Sequence, residues 1–280
     1  MLNINSGVVF ETKKGVDRLN QRHADQDRLD ILDWLTSTDY FSHQNDFIQR
    51  RQAGTGQWLL DSSEYNKWLH EAWQILFCPG IPGAGKTILT SIVIDDLVKR
   101  FQDDQNVGIA YVFCNFRRQD EQTIDHILLS LLKQLAQAQS ALPEAIAELY
   151  HRHRVEKTRP QLEEILKVLQ SVTDSHYARV FIIIDALDEC SAYDGCRSRL
   201  LSALSNLRDT CNANVFATSR EIPEITDEFD KDMSLEIRAS KEDVKRYLDG
   251  HLLHLPSFVR RSSDLQREVV AEIVDSVDGM

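Results

Sequence analysis

The chain has 280 residues, of which 42% are apolar and 27% charged; this describes a globular protein near the upper limit of a single core and excludes a disordered one. Its 32 basic and 44 acidic residues leave a net charge of −12, which argues against broad affinity for nucleic acid or anionic membrane. Five scattered cysteines, Cys78, Cys114, Cys190, Cys196 and Cys211, include no pair at zinc-ligand spacing and read as free thiols of a reducing compartment. With no apolar run of transmembrane length and no basic leader at the start, the expected location is the cytoplasm.

Residues 1–70 are expected to form a helical collar or linker that docks on the following domain. In "DRLDILDWL", Leu29, Leu32 and Leu35 recur at spacings of three, with Ile31 and Trp34 widening the stripe. Ser62 or Ser63 is placed to cap a helix carrying Tyr65, Trp68 and Leu69. From Trp73 the rhythm changes. "WQILFC" reads as a buried strand, "KTILTSIVIDDLVKRF" as a helix and "VGIAYVFCNF" as a second strand. Ile124, Ile127, Leu128, Leu131, Leu132 and Leu135 then mark a strongly amphipathic helix, and a charged helix follows Pro160. "ARVFIIIDALDEC" is a nearly continuous apolar strand with an acidic end. A helix in "RLLSALSNLRDT", a strand in "ANVFATSR" and a last strand in "MSLEIRA" complete the core. Ser240, followed three residues later by Asp243, resembles the cap of a further helix, and the tail is helical.

Strands without polar alternation, separated by helices, imply an α/β fold with a mostly parallel sheet covered on both faces. The expected division is a collar over 1–70, a core over 71–238 and the start of a helical lid over 239–280.

Between the first core strand and its helix, Gly80, Gly85, Lys86 and Thr87 fit G-x-x-x-x-G-K-[ST], a loop whose backbone N–H groups cradle phosphate. Gly80, Gly83 and Gly85 let those groups converge, and the helix N-terminus adds a favourable dipole. Lys86 reaches phosphate oxygens, and Thr87 offers its hydroxyl to magnesium. Asp185 closes a buried strand and is placed to hold that metal. Asp188 and Glu189 follow, either able to polarise water. Ser219 and Arg220 end another apolar strand, and in a parallel sheet all such ends open onto one crevice; Arg220 senses phosphate there or pairs with the acidic cluster.

Other candidates are weaker. "HRHR" at His151–Arg154 reads as a solvated helix end, and His251 and His254 share a helical face without a partner at ligand spacing. No G-x-S-x-G elbow occurs, and no N/T-K-x-D base-reading motif favours guanine.

"GIPGAGKT", "FIIIDALDEC" and "VFATSR", in that order, resemble the NACHT group of STAND NTPases, signal-transducing relatives of AAA+ ATPases. The flanking "NDFIQRRQAGTGQWLLDSSEYNKWL" and "LEIRASKEDVKRYLDGHL" are similar to segments of large fungal NLR-like proteins. The resemblance covers roughly residues 40–280 and implies a P-loop NTPase. It makes Gly80, Ile81, Pro82, Gly83, Ala84, Gly85, Lys86 and Thr87 a Walker A loop and Asp185, Asp188 and Glu189 an extended Walker B. Ser219 and Arg220 become a sensor-like end. It further implies ATP or ADP with Mg2+ as ligand, with GTP used by some relatives. Slow hydrolysis would then act as a nucleotide-gated switch, with homo-oligomerisation in the full-length protein. Where that family continues into a winged helix and repeats, this chain ends, so the expectation is a fragment holding the engine and part of its lid. The competing readings are an AAA+-like remodeller and a scaffold that binds nucleotide without hydrolysing it.

Overall fold

A computed structural model describes residues 21–119, 122–191, 195–252 and 255–276. Five parallel strands form one sheet in the order β2-β3-β4-β1-β5, with β1 at Ile75–Pro79, β2 at Val107–Phe113, β3 at Arg179–Asp185, β4 at Ala213–Ser219 and β5 at Met233–Ser234. Every residue of β1 and β4 is buried, as a sheet covered on both faces requires. The fold is the α/β P-loop NTPase architecture expected from the strand pattern.

The register decides what happens at the carboxyl edge. Pro79 lies beside Ser219, Phe113 beside Asp185, and Ile184 beside Ala217. Three loops leaving β1, β3 and β4 therefore start level with one another and are bound to share one crevice.

Helices α5 (Lys86–Arg100), α6 (Ile124–Gln137), α8 (Leu162–His176) and α9 (Cys196–Thr210) connect the strands. Helix α7, Glu144–Glu156, stands between α6 and α8; only its end was legible as "HRHR". That end is not wholly solvated. His153 is buried, with Nδ1 2.7 Å from Thr158 Oγ1 and Nε2 3.3 Å from Glu164, while His151, Arg152 and Arg154 face solvent. The last strand is also shorter than "MSLEIRA" suggests. Only Met233–Ser234 pair as a ladder, although Leu235 and Ile237 still donate backbone hydrogen bonds to Phe77 and Pro79 at 2.9 and 2.6 Å. This is the sheet's edge, where Ser234 and Glu236 face water and Ile237 turns inward.

Helices that precede the first strand pack against the core. Helix α1 runs over 21–35, followed by α2 (Tyr40–Gln49), α3 (Gln57–Leu60) and α4 (Ser63–His70). Ser62 caps α4 by accepting from the Tyr65 N–H at 3.1 Å. Trp68 is fully buried against Phe181 and Phe216, and its indole N–H donates to the Val215 carbonyl at 2.9 Å. Ile31, Leu32 and Leu35 are buried, but Leu29, first in the stripe, is exposed. Helix α10 (Pro223–Thr226) lies between β4 and β5 in the chain, and α11 (Lys241–His251), α12 (Ser257–Arg260) and α13 (Ser263–Ser276) follow β5. Ser240 caps α11 through the Asp243 N–H at 3.1 Å; His254 lies outside the described residues. Among the described residues, no helix is long and apolar enough to cross a membrane.

Candidate functional site

The loop after β1 turns because Gly83 and Gly85 adopt φ of 85° and 92°. A Cβ at either would meet nothing within 4 Å, so the constraint is the left-handed backbone itself and not space. Gly80 is small for a different reason: a Cβ there would sit 2.6 Å from the Ile237 carbonyl oxygen. Gly85 is the N-cap of the 15-residue α5, so the loop delivers free N–H groups and the positive end of a helix dipole to one spot.

Lys86 Nζ donates to the carbonyls of Gly80 and Ile81 at 2.7 and 3.0 Å, bending over its own loop. Burial pushes its ammonium below the ordinary lysine value, while the carboxylates of Asp188 and Asp185 oppose that shift.

Asp185 is buried and ringed by hydroxyls. Thr87 Oγ1 donates to Oδ2 at 2.7 Å, and Thr90 and Thr218 donate to Oδ1 at 2.9 and 2.7 Å. Burial raises its carboxyl above the usual range, and the three hydroxyls pull it back. Thr218 Oγ1 also accepts from the Ala186 N–H at 2.9 Å. Ala186 sits at φ 56°, a left-handed conformation uncommon for a residue with a Cβ. That turn swings Leu187–Glu189 into a short 3-10 turn and sets Asp188 and Glu189 apart.

Asp188 is almost fully enclosed. It accepts the Arg220 backbone N–H at 2.9 Å and the Arg220 Nε–H at 2.5 Å. Glu189 instead lines the open cleft and accepts the Phe116 N–H at 3.1 Å. Burial, with Asp188 and Asp185 nearby, raises its carboxyl above the ordinary glutamate value. Ser219 is buried behind Arg220, and its hydroxyl donates to the Arg220 carbonyl at 2.8 Å.

Lys86, Thr87, Asp188, Glu189 and Arg220 thus meet in a cleft of about 660 Å³, with Pro82, Gly83 and Gly85 along its wall. Asp185 lines an adjoining cavity of about 470 Å³ that shares Thr87, Phe116 and Glu189. On the other side of Gly83 and Gly85, an apolar cleft of about 390 Å³ runs between Trp58, Leu89 and Ile92 and the α11 residues Val244, Tyr247 and Leu248. Ile81 and Ala84 hold the loop's shape through the Ala84 N–H bonded to the Ile81 carbonyl at 3.3 Å.

Sequence reasoning missed Thr90, Thr218 and Phe116. Thr90 had a legible signal, since it lies one helical turn beyond Thr87 on the same face. Thr218 needed the β3–β4 register, and Phe116 needed the path of the loop after β2.

A search of curated proteins finds no match. Among solved structures, the Walker-type ATPase PABY2304 of Pyrococcus abyssi aligns at 12% identity and TM-score 0.50, over 82% of this chain and 63% of that one. Domain III of the Thermotoga maritima replication initiation protein DnaA aligns at 15% identity and TM-score 0.43, over 76% and 78%. The Aeropyrum pernix ORC1 protein, solved in complex with DNA, aligns at 14% and 0.46, over 81% and 54%. The chain spans under two thirds of the Pyrococcus protein, and identities this low speak to fold alone. The sequence pattern of one protein family reaches from the loop before α3 through the glycine loop and Asp185 to Arg220. Residues 54–220, more than half of the chain, match it, and the chain belongs to the family described as Nephrocystin 3, N-terminal.

Proposed function

We propose that the cleft binds a magnesium nucleoside triphosphate, ATP in preference to GTP, and hydrolyses it slowly as a switch of the NACHT type. The observation that carries this reading is the hydrogen bond between Thr87 Oγ1 and Asp185 Oδ2, at the floor of a glycine loop whose lysine overhangs it. Two hard oxygen donors from neighbouring elements, one of them a carboxylate, suit magnesium. When bound, the ion supplies charge neutralisation between phosphate oxygens.

The chain's own residues divide the remaining tasks. The N–H groups around Gly83–Thr87 and the dipole of α5 bind phosphate, and Lys86 exchanges its carbonyl partners for phosphate oxygens. Asp188 is committed to Arg220. Glu189, half-open to the cleft with a raised carboxyl, is therefore the residue that takes a proton from the attacking water. Arg220, held by Asp188, stands at the cleft as the phosphate sensor. Ser219 serves by fixing the backbone beneath it. The apolar cleft beside Gly83 and Gly85 takes the base, so the nucleotide spans the core, 71–238, and the helical lid, 239–280, with the collar, 1–70, behind.

In this reading the chain is the engine of a cytoplasmic, fungal NLR-like signalling protein that self-associates with nucleotide. Phosphate release from magnesium ATP by the purified chain, beside Glu189→Gln, tests it. Retained ATP binding with turnover lowered about 100-fold or more supports the reading. Equal turnover in both proteins removes Glu189 as the base, and no turnover in either leaves a nucleotide-binding scaffold.

A further inference from the structure

Behind the cleft lies a pair of thiols that nothing in nucleotide chemistry uses. Cys114 directly follows β2, and Cys190 directly follows Glu189; both are buried, and their sulfurs lie 2.9 Å apart. The backbone holds them in register. The Cys114 N–H donates to the Asp185 carbonyl at 3.1 Å, and the Cys190 N–H donates to the Leu187 carbonyl at 3.2 Å. Arg197 clamps the Cys190 carbonyl at 3.0 Å. Among the described residues, no three His, Cys, Asp or Glu side chains are grouped to hold a metal ion. Among the described residues, the pair stands as two free thiols outside any such group.

The two sulfurs differ in access. Cys114 retains 6% exposure and lines the 470 Å³ cavity that opens beside Glu189, whereas Cys190 has none. A small uncharged oxidant entering that cavity meets Cys114 first, with Cys190 waiting behind it.

We propose that Cys114 and Cys190 form a redox modification site whose co-reactant is a small hydroperoxide, with Cys114 the attacked thiol and Cys190 the resolving one. Cys114 sulfur attacks a peroxide oxygen; the O–O bond breaks, one water (or alcohol) leaves and Cys114 becomes a sulfenic acid. Cys190 sulfur then attacks Cys114 sulfur, expelling the hydroxyl as a second water, and an S–S bond replaces two S–H bonds. Two electrons pass from the sulfur pair to the peroxide. The bond needs the sulfurs to close by about 0.9 Å from their present separation. It ties the end of β2 to the residue after Glu189 and so locks the turn that carries Glu189 against the Phe116 loop.

The test needs no nucleotide, so its outcome is independent of the proposed function. The purified chain is treated with hydrogen peroxide, blocked with a thiol alkylator and mapped by mass spectrometry after proteolysis. The expected result is loss of two hydrogen masses without dimerisation, one peptide pair joined through Cys114 and Cys190, and reversal by dithiothreitol. In Cys190→Ser, a dimedone adduct is expected on Cys114; in Cys196→Ser, the cross-link is expected to persist. Cross-linking of Cys190 to Cys196, over-oxidation of separate cysteines, or both thiols still alkylatable after oxidation overturns the proposal. The wild-type map alone decides this if a serine variant fails to fold.

Discussion

Asp185 is the residue on which the site's polar contacts converge, and the hydroxyls around it are structural as well as chemical. Thr218 donates to Asp185 and accepts from Ala186, so Thr218→Val removes a donor from a buried carboxylate and strands a buried backbone N–H. The expected cost is roughly 2 kcal/mol, read as a lower urea midpoint with an unchanged m-value; an unchanged midpoint would mean water replaces the hydroxyl. In the proposed reaction, Glu189 and Lys86 set the pH behaviour. Glu189 acts as a base only when ionised, and its carboxyl is raised by burial, so activity falls with decreasing pH earlier than an ordinary glutamate would dictate. Lys86 binds phosphate only when protonated, and burial lowers its ammonium, so activity falls with increasing pH before the ordinary lysine range. The expected kcat/KM profile is a bell narrower than those two ordinary values allow. Glu189→Gln removes the acid limb from the residual activity; an acid limb that survives unchanged assigns it to another group.

Helix α4 shows how an element away from the sheet's carboxyl edge sets the platform on which the loops there stand. Trp68 packs at 5.2 and 5.8 Å from the rings of Phe181 and Phe216 and bonds to the Val215 carbonyl. Asn214, buried in β4, donates to the Glu71 carbonyl at 2.7 Å just past the same helix. Trp68→Ala is therefore expected to cost about 4 kcal/mol, measured by chemical denaturation, while Trp68→Phe keeps most of the ring packing and costs less than half of that. Nucleotide affinity at saturating folded protein should change little in either, because Trp68 lies on the sheet's flank and not at its carboxyl edge. The elements themselves were largely legible: unbroken apolar runs such as Phe181–Ile184 have no other stable fate than a covered strand. What stayed hidden was non-local. The strand order, the short ladder of β5 and the burial of His153 all depend on which element lies alongside, and no window of sequence contains that information. The same holds within the site. Lys86, Thr87 and Asp185 announce themselves by spacing, and pairing of Arg220 with the acidic cluster is one of two expectations; that Asp188 and not Glu189 is the partner appears only once β3 and β4 are neighbours.

At the scale of the whole molecule, the apolar cleft between Trp58 and α11 is where the proposed switch would have to couple nucleotide to the C-terminal helices. Asp243, near the start of the lid, accepts the Gly56 N–H at 2.8 Å, and Arg246 donates to the Gly54 carbonyl at 2.6 Å. Helix α11, which begins the proposed lid, is thereby fastened to the segment that flanks the proposed base site. A nucleotide that fills the cleft biases the lid only by the difference in its affinity for the two lid positions. ATP and ADP share the base and differ at the terminal phosphate, so in the proposed mode a difference between them acts at the end of the cleft that Lys86, Glu189 and Arg220 line. Binding of labelled ATP, ADP and GTP with magnesium, beside Lys86→Ala and coupled to light scattering, separates the possibilities. The expected result is ATP binding weakened at least about tenfold in Lys86→Ala, the equivalent of roughly 1.4 kcal/mol for a lost charge-assisted contact. A mass increase with ATP but not ADP would make lid and core sufficient for assembly. Binding of both nucleotides without assembly would mean that the Asp243 and Arg246 fastenings hold the lid in one position whatever the phosphate count. Asp243→Ala with Arg246→Ala should then release it, giving ATP-dependent assembly where the intact chain shows none.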